Sequence, residues 1–410
     1  MKKKRVKVKS GLGKIFILII GILVLVGGYF FIERVIFKDS ITLDIPSIDE
    51  GPQREVYELS LIMAGDNLIH NGVYNDANRN ANYNGYDFKP MYTYLKEIVK
   101  DYDLAYYNQE TILGGTKIGL STYPCFNSPY EVGDAMVDAG FNLVSLATNH
   151  TLDRGEKAVK NSCKYWKKQE GVMTAGSYCS KEDRNKVQIM EKNNISYSLL
   201  SYTYGTNGIP VPKGKEYLVN VWPAVGGSPK TNKAYQNYKK TVKEDIERVR
   251  DKVDVLMVAM HWGVEYTHTP TAYQKDMAKF LADNGVDIVI GSHPHVVMPV
   301  TWIDDTLVIY SLGNLISAQE TNLDYAKTVG LLSSVKITKT VIDGESSIEL
   351  NDLNNELIFT YYKNWKNYKV VPFSNPKIGK YISDYKRLYN KYSAVIKRMD
   401  KSVPVVALSN

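Results

Sequence analysis

The sequence predicts an α/β layered fold, because short apolar runs alternate along the chain with segments of helical periodicity. The alternation extends from residue 56 to about residue 345, which is long enough for a large core or for two packed sheets. The predicted strands are Leu59–Ala64, Leu104–Tyr107, Leu143–Leu146, Ile195–Tyr202, Val253–Ala259, Val286–Ile290 and Leu307–Tyr310. The predicted helices between them are Met91–Val99, Glu131–Ala139, Glu156–Lys168, Asn237–Val249 and Tyr273–Asn284.

The pattern changes after residue 330. The segments Leu331–Ile337 and Ile348–Tyr361 predict antiparallel strands around an Asp-Gly turn, and Lys377–Met399 predicts a polar helix. We therefore assign residues 56–345 to the main domain and residues 346–410 to a C-terminal extension of strand and helix. The last helix either packs on the edge of the domain or contacts the cell wall or a partner.

A basic tail and an apolar segment precede the domain. Residues 1–14 carry seven basic side chains and no acidic one, and the following 18 residues carry no charge. With Val35-Ile36-Phe37, this apolar run predicts a transmembrane anchor over residues 15–37, followed by a linker over residues 38–55. A cleavable signal peptide is the alternative, but the run is long for one and Tyr29-Phe30-Phe31 offers no small-residue cleavage site.

The charge distribution predicts the topology and excludes one class of partner. The net charge of +7 arises entirely within the tail, since the remaining 44 basic and 44 acidic residues balance. The positive-inside rule places the tail in the cytoplasm and the domain outside the cell, as in a single-pass protein of the cytoplasmic membrane. The tail then meets anionic lipids or serves only as a topology signal. The rest of the chain has no dense basic stretch, which argues against nucleic acid as a partner.

Three cysteines, Cys125, Cys163 and Cys179, allow at most one intramolecular disulfide. An extracellular location permits such a bond. Cys163 and Cys179 are the better pair, because a helix followed by a strand would double the chain back between them, although two unlinked thiols fit the sequence equally well. The chain contains no Cys-x-x-Cys spacing, so a thiolate zinc site is not expected.

Side chains suited to metal binding stand where the predicted strands end. The loops at the carboxyl ends of strands in open α/β sheets converge on one crevice. The set consists of Asp66, Glu110, Asn149, His150, His261, His293 and His295. Such a mixture of oxygen and nitrogen ligands suits Mn²⁺, Fe or Zn²⁺, and its size favours two ions with Glu110 between them. Pro294 predicts an extended chain between His293 and His295.

Six motifs in order resemble those of the CapA family, the capsule poly-γ-glutamate biosynthesis proteins of the calcineurin-like metallophosphoesterase superfamily. They are Gly65-Asp66, Asn108-x-Glu110, Asn149-His150-x-x-Asp153-x-Gly155, His261-Trp262-Gly263-x-Glu265-Tyr266, Gly291-Ser292-His293-Pro294-His295-Val296 and Ser311-Leu312-Gly313-Asn314. The resemblance covers about residues 57 to 335. It implies a layered αββα sandwich of the metallophosphoesterase type, here preceded by one transmembrane helix.

The resemblance also implies a role for each site residue. Asp66 and His295 would hold one divalent ion, Asn149, His261 and His293 would hold a second, and Glu110 would bridge them. His150 would protonate the leaving oxygen, and Asp153 would orient His150. The superfamily has a histidine two residues after the aspartate, where this chain has Leu68. His70 is either a partial substitute for it or, as we expect, a solvent-facing loop residue.

Two functions fit this sequence. One is a surface metalloenzyme that hydrolyses phosphoesters in the metabolism of an anionic envelope or capsule polymer. The other is a non-hydrolytic accessory that binds poly-γ-glutamate beside a membrane polyglutamate synthase complex. A general cell-surface metallophosphoesterase unrelated to capsule is a variant of the first.

The predicted topology can be tested on whole cells. Protease added to intact protoplasts is expected to degrade the part of the chain after the anchor, because the all-basic flank keeps only residues 1–14 inside. Immunoblotting measures the loss, with a cytoplasmic protein as the control that must stay intact. Full protection of the domain would show that the topology is wrong.

Overall fold

The computed structural model describes residues 53–222, 226–320 and 324–408. From residue 55 onward they belong to one compact unit. The predicted tail and anchor, and nearly all of the predicted linker, lie outside the described residues. Within the described ranges, none of the helices has the length and apolar character needed to cross a bilayer.

The strands and helices follow each other in the alternating order that the sequence predicts. The strands are β1 (Arg54–Asn67), β2 (Leu104–Asn108), β3 (Leu143–Ser145), β4 (Met173–Ala175), β5 (Met190–Lys192), β6 (Ile195–Thr203), β7 (Val255–His261), β8 (Ile288–Ser292), β9 (Val300–Ile303), β10 (Thr306–Ile309), β11 (Asn314–Ile316), β12 (Val329–Ile342), β13 (Glu345–Lys363) and β14 (Lys366–Pro372). The α-helices are α1 (Asn71–Asn80), α2 (Thr93–Val99), α3 (Glu131–Asp138), α4 (Gly155–Trp166), α5 (Lys181–Asn185), α6 (Lys233–Glu247), α7 (Ala272–Asp283) and α8 (Tyr385–Ile396).

The described strands form two sheets. The larger has the order β14-β13-β12-β1-β2-β3-β4, with β11 also paired to β1, and the second has the order β5-β6-β7-β8-β10-β9. Strands β1 to β4 are parallel to one another, as are β6, β7, β8 and β10. Parallel strands bring their carboxyl ends to one edge, and in each sheet the predicted ligands lie at or just beyond those ends.

The strands are almost continuously apolar because both faces of each sheet are covered. In β1, Leu59, Leu61 and Met63 contribute to the core between the two sheets, whereas Ile62 and Ala64 contribute to the core on the outer face. Strand β7 shows the same alternation of faces. Helices α1 to α4 cover the outer face of the larger sheet, and α6 and α7 cover that of the second. The predicted α/β sandwich is confirmed.

The C-terminal residues continue the larger sheet. Strands β12 and β13 are antiparallel around the Asp343-Gly344 turn, which confirms the predicted strand pair. The predicted division between residues 345 and 346 falls at the start of β13, beside this turn. Helix α8 is shorter than the predicted helix, and its buried side chains Leu388, Tyr392 and Ile396 pack in the core between the sheets. Of the two interpretations of this helix, packing on the domain is the one observed.

Some elements carry too weak a signal to be predicted. Helix α1 contains four asparagines and a glycine, all poor helix formers, and tertiary packing of Val73 and Ala77 holds it in place. Strands β4 and β11 have only three residues each, too few to show a period of two.

The structure contains the disulfide that the sequence favoured. Cys163 in α4 is bonded to Cys179, which lies just after β4, with a Cα–Cα distance of 5.8 Å. Cys125 is a free, exposed thiol. The predicted pairing is confirmed, and the alternative of unlinked thiols is wrong for this structure.

Strand β1 ends against the backbone of the segment that precedes β11. Asp66 N donates a hydrogen bond of 2.9 Å to the Gly313 carbonyl oxygen. A Cβ atom on Gly65 would lie 1.8 Å from that same oxygen, so only glycine fits here. Gly65 therefore sets how closely the Asp66 strand end approaches β11.

We expect Gly65→Ala to lower the free energy of unfolding by about 1–3 kcal/mol, the usual cost of forcing extra volume into a packed site. Urea unfolding followed by circular dichroism measures the change. Gly205→Ala is the matched control, since its Cβ would have no atom within 4 Å and its φ is not positive. Equal stability of the two variants would contradict the close approach at β11.

Candidate metal centre

The predicted ligands come from the strand ends of both sheets. The larger sheet contributes the oxygen-bearing side chains, which are Asp66 in β1, Glu110 after β2 and Asn149 after β3. The second sheet contributes the imidazoles, which are His261 at the end of β7 and His293 and His295 after β8. All are buried, with no residue more than 3% exposed.

The side chains meet in one cluster. Asn149 Oδ1 lies 2.9 Å from His261 Nε2. Glu110 Oε1 lies 3.7 Å from the same nitrogen and 3.6 Å from His295 Nε2. On the opposite side of its ring, His295 Nδ1 lies 3.3 Å from Asp66 Oδ2. Glu110 thus lies between imidazoles that the resemblance assigns to different ions.

His293 completes this cluster from the side of the second sheet. Its ring centroid is 4.8 Å from that of His261 and 5.8 Å from that of His295. Ligand atoms of Glu110, His293 and His295 all lie within 4.8 Å of one another, as donors around one cation would. The structure therefore brings all six predicted residues together, and their individual roles as ligands remain predictions.

The chain between the two histidines is not extended, contrary to our expectation from Pro294. His293 has φ +94° and His295 has φ +58°, a region that costs a non-glycine residue about 1–3 kcal/mol. Tertiary hydrogen bonds hold this conformation. His293 N donates to Asp66 Oδ2 at 3.2 Å, and Tyr266 N donates to the Pro294 oxygen at 2.8 Å. The tight turn aims two consecutive imidazoles into the cluster.

The cluster fits divalent cations. Among the described residues, neither carboxylate oxygen of Glu110 has a hydrogen-bond partner, and His293 Nδ1 has none either, although all three atoms are buried. Leaving such groups unsatisfied is costly, and a cation would satisfy them. The 2.9 Å between Asn149 Oδ1 and His261 Nε2 also suits two ligands of one ion, which lie about 3 Å apart when each bond is about 2.1 Å.

Burial and charge shift the titration of these groups in opposite directions. Burial raises the pKa of Glu110 well above its usual range and lowers the pKa values of His261 and His293 well below theirs. Burial also opposes a charge on His295, but the carboxylates of Glu110 and Asp66 outweigh it and raise its pKa to about 9. A cation binding here must therefore displace a proton from His295 at neutral pH.

Further polar side chains orient the predicted ligands. Asn108 Nδ2 donates to Asp66 Oδ1 at 2.9 Å and lies 3.4 Å from His261 Nδ1. Asn314 Oδ1 lies 3.0 Å from His295 Nδ1. Partners of this kind fix ring orientation and tautomer. Asn108 and Asn314 belong to the motifs identified in the sequence, but only the fold shows which ligands they contact.

His150 lies beside the cluster and is held on several sides. Its Nδ1 is 2.7 Å from Asp153 Oδ2, the contact expected from their spacing, and the same oxygen accepts from Phe126 N at 2.6 Å. The Phe126 ring packs edge-on to the imidazole at 4.7 Å. Asn207 Nδ2 lies 3.2 Å from His150 Nδ1, while Asn207 Oδ1 accepts from Asn149 Nδ2 at 3.2 Å. Sequence reasoning missed Asn207, an exposed residue of a distant loop.

Leu68 and His70 occupy the region where the superfamily has its first histidine. Leu68 is buried and supplies no ligand atom. His70 is not the solvent-facing residue that we expected, since its ring packs edge-on to Phe126 at 5.1 Å and its Nδ1 accepts from Ala318 N at 3.3 Å. Burial lowers the pKa of His70 to about 4, so this ring is neutral at physiological pH.

Comparisons with known proteins point to one family. The sequence model of a family described as bacterial capsule synthesis protein PGA_cap matches residues 60–319. The chain is 26% identical over 275 residues to the capsule biosynthesis protein CapA of Bacillus anthracis, covering 65% of this chain and 61% of that protein. It is 25% identical over 183 residues to the PGA biosynthesis protein CapA of Bacillus subtilis (strain 168), covering 44% of each. The matches thus span less than two thirds of either relative.

Among solved structures, the fold is similar to that of a hypothetical protein from Thermus thermophilus. The sequence identity is 15%, the TM-score is 0.42, and the match covers 72% of this chain and 100% of that one.

We expect Asn108→Ala to weaken the binding of divalent cations by about 10–100-fold, the usual effect of removing a residue that orients a metal ligand. Competition with a chromophoric chelator measures the dissociation constants for Mn²⁺ and Zn²⁺. Asn355→Ala is the control, because Asn355 is equally buried but donates to the Pro404 oxygen, away from the cluster. Unchanged affinity in Asn108→Ala would show that Asp66 does not depend on this contact.

Proposed function

Because the chain belongs to the bacterial capsule synthesis protein PGA_cap family, we propose that it acts at the cell surface in the synthesis or export of poly-γ-glutamate, an anionic capsule polymer. Its site is a two-metal centre of the phosphoesterase type, holding Mn, Fe or Zn ions. The proposal includes the membrane anchor over residues 15–37 and an extracellular domain. The Bacillus relatives, whose names refer to capsule or PGA biosynthesis, support the placement in the cell envelope.

One observation supports the metal centre above all others. Glu110 is a buried carboxylate without a hydrogen-bond partner among the described residues, and imidazole nitrogens of His261 and His295 lie 3.7 and 3.6 Å from it. A carboxylate that served only the fold would be paired or hydrogen-bonded. One that bridges two cations needs both oxygens free, as they are here.

Divalent cations bound in this cluster would polarise a phosphoryl group and make water a stronger nucleophile at neutral pH. The protein's own contribution is the handling of a proton. Asp153 Oδ2 accepts from His150 Nδ1, which leaves His150 Nε2 to carry the second proton of the imidazolium. In our proposal, Nε2 delivers that proton to the leaving oxygen. The contacts from Phe126 and Asn207 restrict the ring to the orientation this transfer requires.

A non-hydrolytic accessory role is the second candidate. The relatives are named for biosynthesis rather than for hydrolysis. In that role the same cluster would hold a cation that binds carboxylates of the polymer beside a polyglutamate synthase. A general surface metallophosphoesterase unrelated to capsule is the third. A phosphodiester assay on the metal-loaded protein separates hydrolysis from binding, and a neighbouring gene for a polyglutamate synthase separates a capsule role from a general one.

His150→Ala is expected to leave metal content nearly intact and to slow hydrolysis of substrates with poor leaving groups by roughly 10²–10⁴, the range for a lost general acid. Substrates with good leaving groups need no proton and should be affected far less. Elemental analysis of the purified protein and steady-state kinetics on a matched pair of phosphodiesters measure both effects.

His293→Ala should instead lower metal occupancy and slow both substrates alike, because it removes a predicted ligand. If His150→Ala loses as much metal as His293→Ala does, His150 is a ligand rather than an acid. Capsule polymer that stays normal in cells carrying either variant would exclude the catalytic role and leave the accessory role.

A further inference from the structure

Lys327 places a positive charge close to the predicted metal centre. It precedes β12 and is only 9% exposed. Across the described part of the chain, its ammonium has no carboxylate within the 4.0 Å of an ion pair and donates no hydrogen bond. Glu320 acts on it only from a greater distance, and burial lowers the pKa of this lysine.

Both ends of Lys327 are connected to His295. The ammonium lies 5.5 Å from the centroid of the Tyr266 ring, and that ring lies 6.0 Å from the His295 ring. The Lys327 carbonyl oxygen accepts from Asn314 Nδ2 at 2.7 Å, and Asn314 Oδ1 lies 3.0 Å from His295 Nδ1. The lysine is therefore held in place by the same network that holds a predicted ligand.

The ring contact does not compensate for the burial of this charge. An aromatic face stabilises a cation by about 0.5–2 kcal/mol, and it accepts no conventional hydrogen bond. A buried ammonium without a counter-ion loses hydration that only an anion or several acceptors replace. Lys327 thus has three N–H donors and one covered side, and it lacks an anionic partner.

We propose that the Lys327 ammonium binds an oxyanion of the substrate, with Tyr266 supporting the ammonium from the opposite side. The inference rests on the proposed function, which supplies an anionic substrate. The oxyanion is a phosphoryl oxygen of a phosphoester or a carboxylate of a γ-glutamyl chain. Lys327 would position either group against the cluster that contains His295.

The test uses the purified full-length protein in detergent. Lys327→Met removes the charge and keeps the apolar stem, whereas Lys327→Arg keeps the charge. Lys240→Met is the matched control, since it removes the same charge from an exposed position on α6. Isothermal titration measures the binding of inorganic phosphate and of a short γ-glutamyl peptide, each with Mn²⁺ and with a chelator present.

Lys327→Met is expected to weaken the binding of at least one anion by about 10–100-fold, as for the loss of a charged hydrogen bond. Lys327→Arg should recover most of that loss, and Lys240→Met should match the unchanged protein. A loss for phosphate alone assigns a phosphoryl oxygen, and a loss for the peptide alone assigns a carboxylate. If Lys327→Met binds both anions as Lys240→Met does, or if the unchanged protein binds neither, the inference is wrong.

Metal content is measured separately, so this inference and the proposed function fail in different ways. Dependence on Lys327 that persists in chelator supports the oxyanion site even if the protein holds no metal. Normal metal content with no dependence on Lys327 supports the metal centre and overturns the inference. Thermal melting checks the fold of each variant, and Lys327→Gln replaces Lys327→Met if the latter does not fold.

Discussion

The path of residues 310–316 is the constraint on which the rest of the site depends. This segment leaves β10 in the second sheet and enters β11 in the larger one. It passes against two glycines, since a Cβ on Gly291 would lie 2.1 Å from the Tyr310 oxygen and one on Gly65 would lie 1.8 Å from the Gly313 oxygen. These contacts bring the ends of β8 and β1 together, and with them His293 and Asp66.

Amide side chains connect the groups that these strand ends bring together. Asn108 joins Asp66 to the vicinity of His261, Asn314 joins His295 to the Lys327 backbone, and Asn207 joins Asn149 to His150. An amide donates and accepts at once, so it links a carboxylate to an imidazole without adding charge. The cluster thus keeps its negative charge for cations while each buried side chain is held in one orientation.

Much of the α/β fold and the membership of the cluster could be predicted, because both follow from local patterns. The apolar runs mark the strands, and Asp66, Glu110, His261 and the His293 pair mark their ends. The turn at His293 could not be predicted, since a hydrogen bond to Asp66, 227 residues away, overrides the local preference set by Pro294. Asn207 and the environment of His70 were also missed, because their partners come from loops that no periodicity connects.

The division of the predicted ligands between the sheets has a thermodynamic consequence. Oxygen ligands come from the larger sheet and imidazoles from the second, so an ion bound here would join two halves that are together only in the folded state. A ligand that binds only the native form raises stability by an amount that grows with the logarithm of its concentration, about 2.7 kcal/mol at 100 times its dissociation constant. The melting temperature of this protein would then rank candidate metals by affinity, whether or not any substrate is known.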